Sequence, residues 1–164
     1  MILFALLTAC STSTPTVTTA PHEEAGAHDH HHEGATTPDV HAGHGAHMAK
    51  MGETREALRA TLGAAYDAPV PGLDAADPTK GRARYDTHCA SCHGVGGKGD
   101  GAAGAGLNPP PADFTDAFHA RFYSDAGRVQ IVRAGSDGTA MVGFQSVLGD
   151  QGVLDVYAFV RSLR

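Results

Sequence analysis

The sequence predicts an all-α domain over about residues 75–164, preceded by a segment that does not pack. Three observations predict it. Apolar residues recur at helical spacing near the C-terminus, where Val153, Val156, Tyr157 and Val160 mark one face of Gln151–Leu163, with Phe159 and Leu163 beside it. Asp77-Pro78 is a helix start, a capping carboxylate followed by a proline at the first helical position. Residues 11–47 hold almost no large apolar side chain and cannot offset the entropy of ordering.

The N-terminal segments come first. Met1 to Cys10 is an apolar stretch ending Leu7-Thr8-Ala9-Cys10, which resembles the bacterial lipobox. The resemblance implies that Cys10 is lipidated and heads the mature chain; an ordinary cleaved signal is the alternative. No Lys or Arg precedes the run, which departs from the usual pattern. Ser11 to His47 reads as a disordered, His-rich linker spanning roughly 35 Å as a flexible coil. His28, His30, His31 and His32, then His41, His44 and His47, make it a weak metal-binding tract of undefined geometry, or simply a solvated linker. Residues 48–74 read as a short helix with Met51, Leu58, Leu62 and Ala65 on one face, ended by a Pro/Gly connector.

Charge divides the same way. The formal charge is −6, and residues 1–74 carry all of it, whereas residues 75–164 balance nine basic against nine acidic residues. Neither part shows the basic stripe of a nucleic-acid binder. No apolar run reaches the eighteen or so residues of a membrane-spanning helix.

Cys89-Ala90-Ser91-Cys92-His93 carries the chemistry. C-x-x-C-H is an attachment motif for c-type haem. Its thiols add across the two vinyl groups, and the following His binds the iron. A thioredoxin-type redox pair would want a strand before the motif, which the pattern lacks. A zinc site would want a second ligand pair, and no Cys follows Cys92.

With these residues the chain resembles the small monohaem cytochrome c family, over a little more than half its length. Pro78-x-x-Gly81-x-x-x-Tyr85-x-x-x-Cys89 is similar to that family's first helix, and Leu154–Leu163 to its closing helix. The resemblance implies that Gly81 and Tyr85 meet the closing helix. Seven glycines between Gly94 and Gly106 are expected to let backbone pass close to the haem. The resemblance also implies that a carbonyl of Pro109, Pro110 or Pro111 accepts the hydrogen of His93 Nδ1.

Met141, in Gly138-Thr139-Ala140-Met141-Val142-Gly143-Phe144, resembles the family's distal loop and is the candidate second axial ligand. Val142 stands where the family usually has Pro, which predicts a less rigid loop. His119 is the rival ligand, read as a surface or haem-edge residue; His88 is read as exposed. The remaining Asp residues read as caps or surface charge.

The expected function is that of a single-electron carrier with one covalent haem c, held by Cys89 and Cys92 and ligated by His93 and Met141. Lipidated Cys10 would anchor it on the periplasmic side of a bacterial membrane. Its partners would be redox proteins such as a membrane oxidase, reductase or reaction centre, not nucleic acid. Two other classes remain open: a copper- or zinc-handling lipoprotein with an accessory haem domain, and a haem enzyme or gas sensor with a displaceable Met141. No catalytic acid–base pair is evident.

Overall fold

The structure is a computed structural model that describes residues 40–164, with His41 and His44 described by backbone alone. The lipobox with Cys10, most of the linker, and His28, His30, His31 and His32 lie outside the described residues.

Among the described residues six α-helices follow one another: α1 Val40–Leu62, α2 Pro78–His88, α3 Ala90–His93, α4 Ala117–Phe122, α5 Asp125–Ala134 and α6 Gln145–Arg161. Short 3-10 turns at Gly63–Tyr66, Leu73–Ala75 and Ala102–Gly104 join them. Among the described residues there is no strand, only an isolated bridge between Gly135 and Val142.

Helix α1 begins eight residues before the predicted end of the linker, so His41, His44 and His47 belong to a helix rather than to a coil. Ala42, Ala46 and Ala49 favour it, and its inner side is buried: Met51 and Leu58 are covered. Tyr66, not Ala65, completes that contact; Ala65 is exposed while Tyr66 is buried in the turn after the helix. Gly127 of α5 lies against the Tyr66 ring, where a Cβ would come within 2.9 Å of Cε2. Arg55 stacks 4.5 Å over Phe122 and Arg59 5.0 Å over Tyr66.

Helices α2 and α6 cross at Gly81. A Cβ there would lie 1.9 Å from the Asp155 carbonyl oxygen, so the absent side chain sets the distance between the two backbones. One turn on, Tyr85 packs edge-on against Phe159 with ring centroids 5.1 Å apart. Its hydroxyl donates to the Gly94 carbonyl at 2.8 Å, which ties the crossing to the segment after the Cys-His motif.

Asp77 caps α2 as expected, accepting from Thr79 N–H at 2.9 Å and Lys80 N–H at 3.1 Å. Asp155 departs from the surface reading: it is 1% exposed. Its carboxylate accepts from Asp77 N–H at 3.0 Å, Arg84 Nη1 at 3.1 Å and Gln151 Nε2 at 2.9 Å. A charge so buried persists because each oxygen is engaged.

Helix α6 breaks at Gly149 (φ 65°, ψ 176°), and its second part is buried on every side from Gly152 to Val160. The single apolar face expected from sequence is too narrow a description. Phe159 meets α2, Leu154 reaches Gly72, and Tyr157 and Val160 turn to the internal cavity described below. Asp125 at the start of α5 accepts from Tyr157 Oη and lies within 3.4 Å of Arg161 and Arg164. Although burial works against its charge, these donors hold its pKa below the ordinary carboxylate value.

Two glycine-to-alanine changes should therefore differ, one at the crossing and one on open helix surface. Gly81→Ala should cost about 3 kcal/mol through forced separation of α2 and α6. Gly52→Ala in α1, where a Cβ meets nothing within 4 Å, should leave stability unchanged or raise it by up to about 1 kcal/mol. Guanidinium denaturation followed by far-ultraviolet circular dichroism measures both.

Candidate haem site

Cys89 ends α2 and opens α3, a single helical turn. The Cys89 carbonyl accepts from Cys92 N–H at 3.2 Å and from His93 N–H at 2.9 Å. Helical spacing sets residues three apart on one side of such a turn. Cys89, Cys92 and His93 accordingly all line one cavity of about 270 Å³. Both cysteines are free thiols. Burial, with the neighbouring Cys92, pushes the Cys89 thiol up to about 11 and keeps it protonated at neutral pH.

The His93 ring is fixed from two directions. Phe114 stacks on it with centroids 4.8 Å apart and planes 24° from parallel. Nδ1 faces the Ala112 carbonyl oxygen at 3.4 Å. A carbonyl only accepts, so Nδ1 carries the hydrogen and Nε2 keeps its lone pair. Burial lowers the His93 pKa, the Ala112 contact opposes this, and the Arg128 cation adds to the lowering; the ring is held neutral. Ala112 thus takes the place expected of a proline carbonyl. The Pro111 carbonyl is turned towards Gly99, whose added Cβ would lie 2.5 Å from its oxygen.

The glycines after the motif pack on the backbone of α3. A Cβ at Gly101 would come within 2.4 Å of the Ser91 carbonyl oxygen, and one at Gly104 within 2.6 Å of that of Cys92. Gly99 N–H donates to the His93 carbonyl at 2.8 Å and Gly101 N–H to that of Cys92 at 3.1 Å. The loop therefore satisfies carbonyls that a four-residue helix leaves unpaired.

Met141 reaches the same cavity from the loop between α5 and α6. Ser136 N–H donates to the Met141 carbonyl at 2.9 Å, and Met141 N–H to Thr139 Oγ1 at 3.1 Å. Thr139 Oγ1 in turn donates to Ser136 O at 2.7 Å. These bonds hold a loop that has Val142, 63% exposed, in place of a proline.

His88 is half-buried, not exposed as its sequence position indicated; it lines the cavity beside Phe144. His119 is also half-buried and lines the cavity, with Nδ1 3.1 Å from Asp116 Oδ1. His47 contributes from α1, its ring 5.5 Å from that of His119. Among the described residues no three His, Cys, Asp or Glu cluster as a metal site. Sequence reasoning missed Arg128, a buried cavity-lining cation; Asp125, Gln130 and Arg133 are polar positions of the same helix, and nothing in the sequence sets Arg128 apart from them.

The cytochrome c family model matches residues 78–164, more than half of the chain. The chain belongs to the cytochrome c family. Membership implies a covalently bound c-type haem, and the site fits it: two free thiols three residues apart, an adjacent neutral imidazole, and a cavity on which all three open. No curated protein matches the chain. Among solved structures, a chain of the reducing HAO-like protein complex of Kuenenia stuttgartiensis is 24% identical, with a TM-score of 0.45. The match covers 58% of this cytochrome and 46% of that chain, so this protein spans less than half of its length.

The packing under α3 makes haem loading sensitive to the glycine loop. Gly101→Ala, expressed with haem-attachment machinery, should lower covalent haem per chain several-fold, measured as pyridine haemochrome against protein. Gly96→Ala, whose Cβ would meet only Lys98 Cγ at 4.0 Å, should load as the unaltered protein does.

Proposed function

We propose that this cytochrome carries single electrons on one haem c, attached through Cys89 and Cys92 and ligated by His93 and Met141. When bound, the haem supplies a ferric/ferrous couple, which a His/Met pair raises relative to most other axial pairs. The observation that carries the reading is the convergence of both ligand candidates on one cavity, with His93 Nε2 left free by the Nδ1 contact to Ala112.

The chain's own residues have separate tasks in this reading. Ala112 and Phe114 orient the imidazole. The Ser136–Met141 hydrogen bonds position the thioether without a proline. Tyr157, Val160, Ile131 and Val132 keep water from the site. The protein acts in electron transfer, and no acid–base pair is needed.

The N-terminal part completes the proposal. Lipidated Cys10 would anchor the chain on the periplasmic side of a bacterial membrane, and the linker would raise the domain's local concentration near membrane-bound redox partners.

The ferric visible to near-infrared spectrum tests the ligation. A far-red sulfur-to-iron charge-transfer band should be present in the unaltered protein and lost in Met141→Ala, which should also gain carbon monoxide binding when reduced. A high-spin spectrum before mutation, or one that Met141→Ala leaves unchanged, would remove Met141 and favour an enzyme or gas-sensing role. The anchor has its own test: the full chain should partition into detergent, and Cys10→Ala should move it to the aqueous phase.

A further inference from the structure

His47 of α1 and His119 of α4 are remote in sequence and meet in the fold, their ring centroids 5.5 Å apart and their planes at 73°. Electron transfer through the cavity gives neither ring a task. His119 Nδ1 lies 3.1 Å from Asp116 Oδ1. A carboxylate only accepts, so the ring proton is favoured on Nδ1 and Nε2 keeps its lone pair. A carboxylate beside one ring nitrogen is the usual way of orienting an imidazole whose other nitrogen binds a metal. The His119 and Asp116 side chains are 26% and 46% exposed, so an ion from solvent can reach them.

Two imidazoles on one tetrahedral zinc ion, each nitrogen at about 2.1 Å, set their ring centroids roughly 5 to 5.5 Å apart. The His47–His119 pair already stands at that spacing. Register supplies a third imidazole: His44 is one turn before His47 on α1, and helical residues three apart share a face. Charge agrees with this. Residues 1–74, which include His44 and His47, carry the whole formal charge of −6 and attract cations. Of the two strong bases on the cavity wall, Lys50 is paired with Glu53 at 3.2 Å, and Arg128 donates to the His119 carbonyl.

We propose that His44, His47 and His119 form a binding site for a divalent ion of the zinc type, which clamps α1 onto α4. Three imidazoles and one water complete a tetrahedron, and an ion that prefers nitrogen to oxygen ligands is the one selected. The site uses neither His93 nor Met141 and goes beyond the electron-transfer reading. Helix α1 lies outside residues 78–164, the part matched by the family model. The ion would therefore join the helix that follows the N-terminal segment to the family domain. It would add to the contacts already there, where Tyr123 donates its hydroxyl to the Met51 carbonyl at 3.3 Å.

The test uses the haem-loaded full chain carrying His28→Ala, His30→Ala, His31→Ala and His32→Ala, so that the linker tract does not compete for metal. Zinc alone, titrated by calorimetry, should bind as one ion per chain in the micromolar range or tighter. His47→Ala and His119→Ala should each weaken that binding by about tenfold or more. Zinc should also slow amide exchange across Val40–Met51 of α1 in the parent and fail to do so in His119→Ala. Metal held by α1 or the linker alone would not respond to a residue of α4, so binding or exchange unaffected by His119→Ala would overturn the clamp. A parent chain that binds no zinc would overturn it too, and leave the haem reading standing, since haem loading is verified beforehand by the visible spectrum. Should His119→Ala not accumulate, the milder His119→Gln decides by the same two measurements.

Discussion

At Gly81 the Asp155 carbonyl occupies the space where a side chain would be, and this close approach organises the cytochrome domain. With α2 and α6 locked at that distance, Tyr85 can reach both Phe159 and the Gly94 carbonyl. Gly94 follows His93 directly, so the crossing fixes the end of the Cys-x-x-Cys-His turn. The buried Asp155 carboxylate adds a polar clamp, joining the N-terminus of α2 to α6 through Asp77 N–H, Arg84 and Gln151. Helix packing and site geometry are thus one constraint seen at two places.

Beside the hydrophobic core that Tyr85, Val129, Val153 and Phe159 share, the helices enclose a cavity. Tyr157, Val160, Ile131 and Val132 face it, and so do the two cysteines, His93 and Met141. A chain with no Trp and only six Phe has few large rings to bury. An apolar covalent cofactor supplies the surface that a domain of this size otherwise lacks. The same arrangement explains why α6 is buried all round: one side meets α2 and another meets the cavity.

Charge is organised on a second level. The domain of residues 75–164 is balanced overall, while its cavity presents cations and no described acid. Helix α1, which follows the acidic N-terminal stretch, brings Lys50 and His47 to that rim. The segment read from sequence as a short helix before the domain is therefore part of the cavity's wall, which shape and charge reveal and a motif does not.

The sequence by itself determined the Cys89-x-x-Cys92-His93 motif and its place on one turn, because the motif is a matter of fixed spacing along the chain. It also determined the α2 cap at Asp77, which rests on local geometry, and set Gly81 and Tyr85 on one helix face, while their contact with the closing helix was implied by the family resemblance. Only the tertiary structure decided which carbonyl faces His93: three prolines were candidates, and Ala112 is the one turned inward. Only it decided that Asp155 is buried, that His88 and His119 line the cavity, and that α1 starts at Val40 and reaches the site. Those outcomes depend on which remote segments fold over a residue, and spacing along the chain holds no record of them. Arg128 shows the difference most directly: in sequence it is one more surface cation, and in the fold it is a buried charge facing a cavity without a described acid.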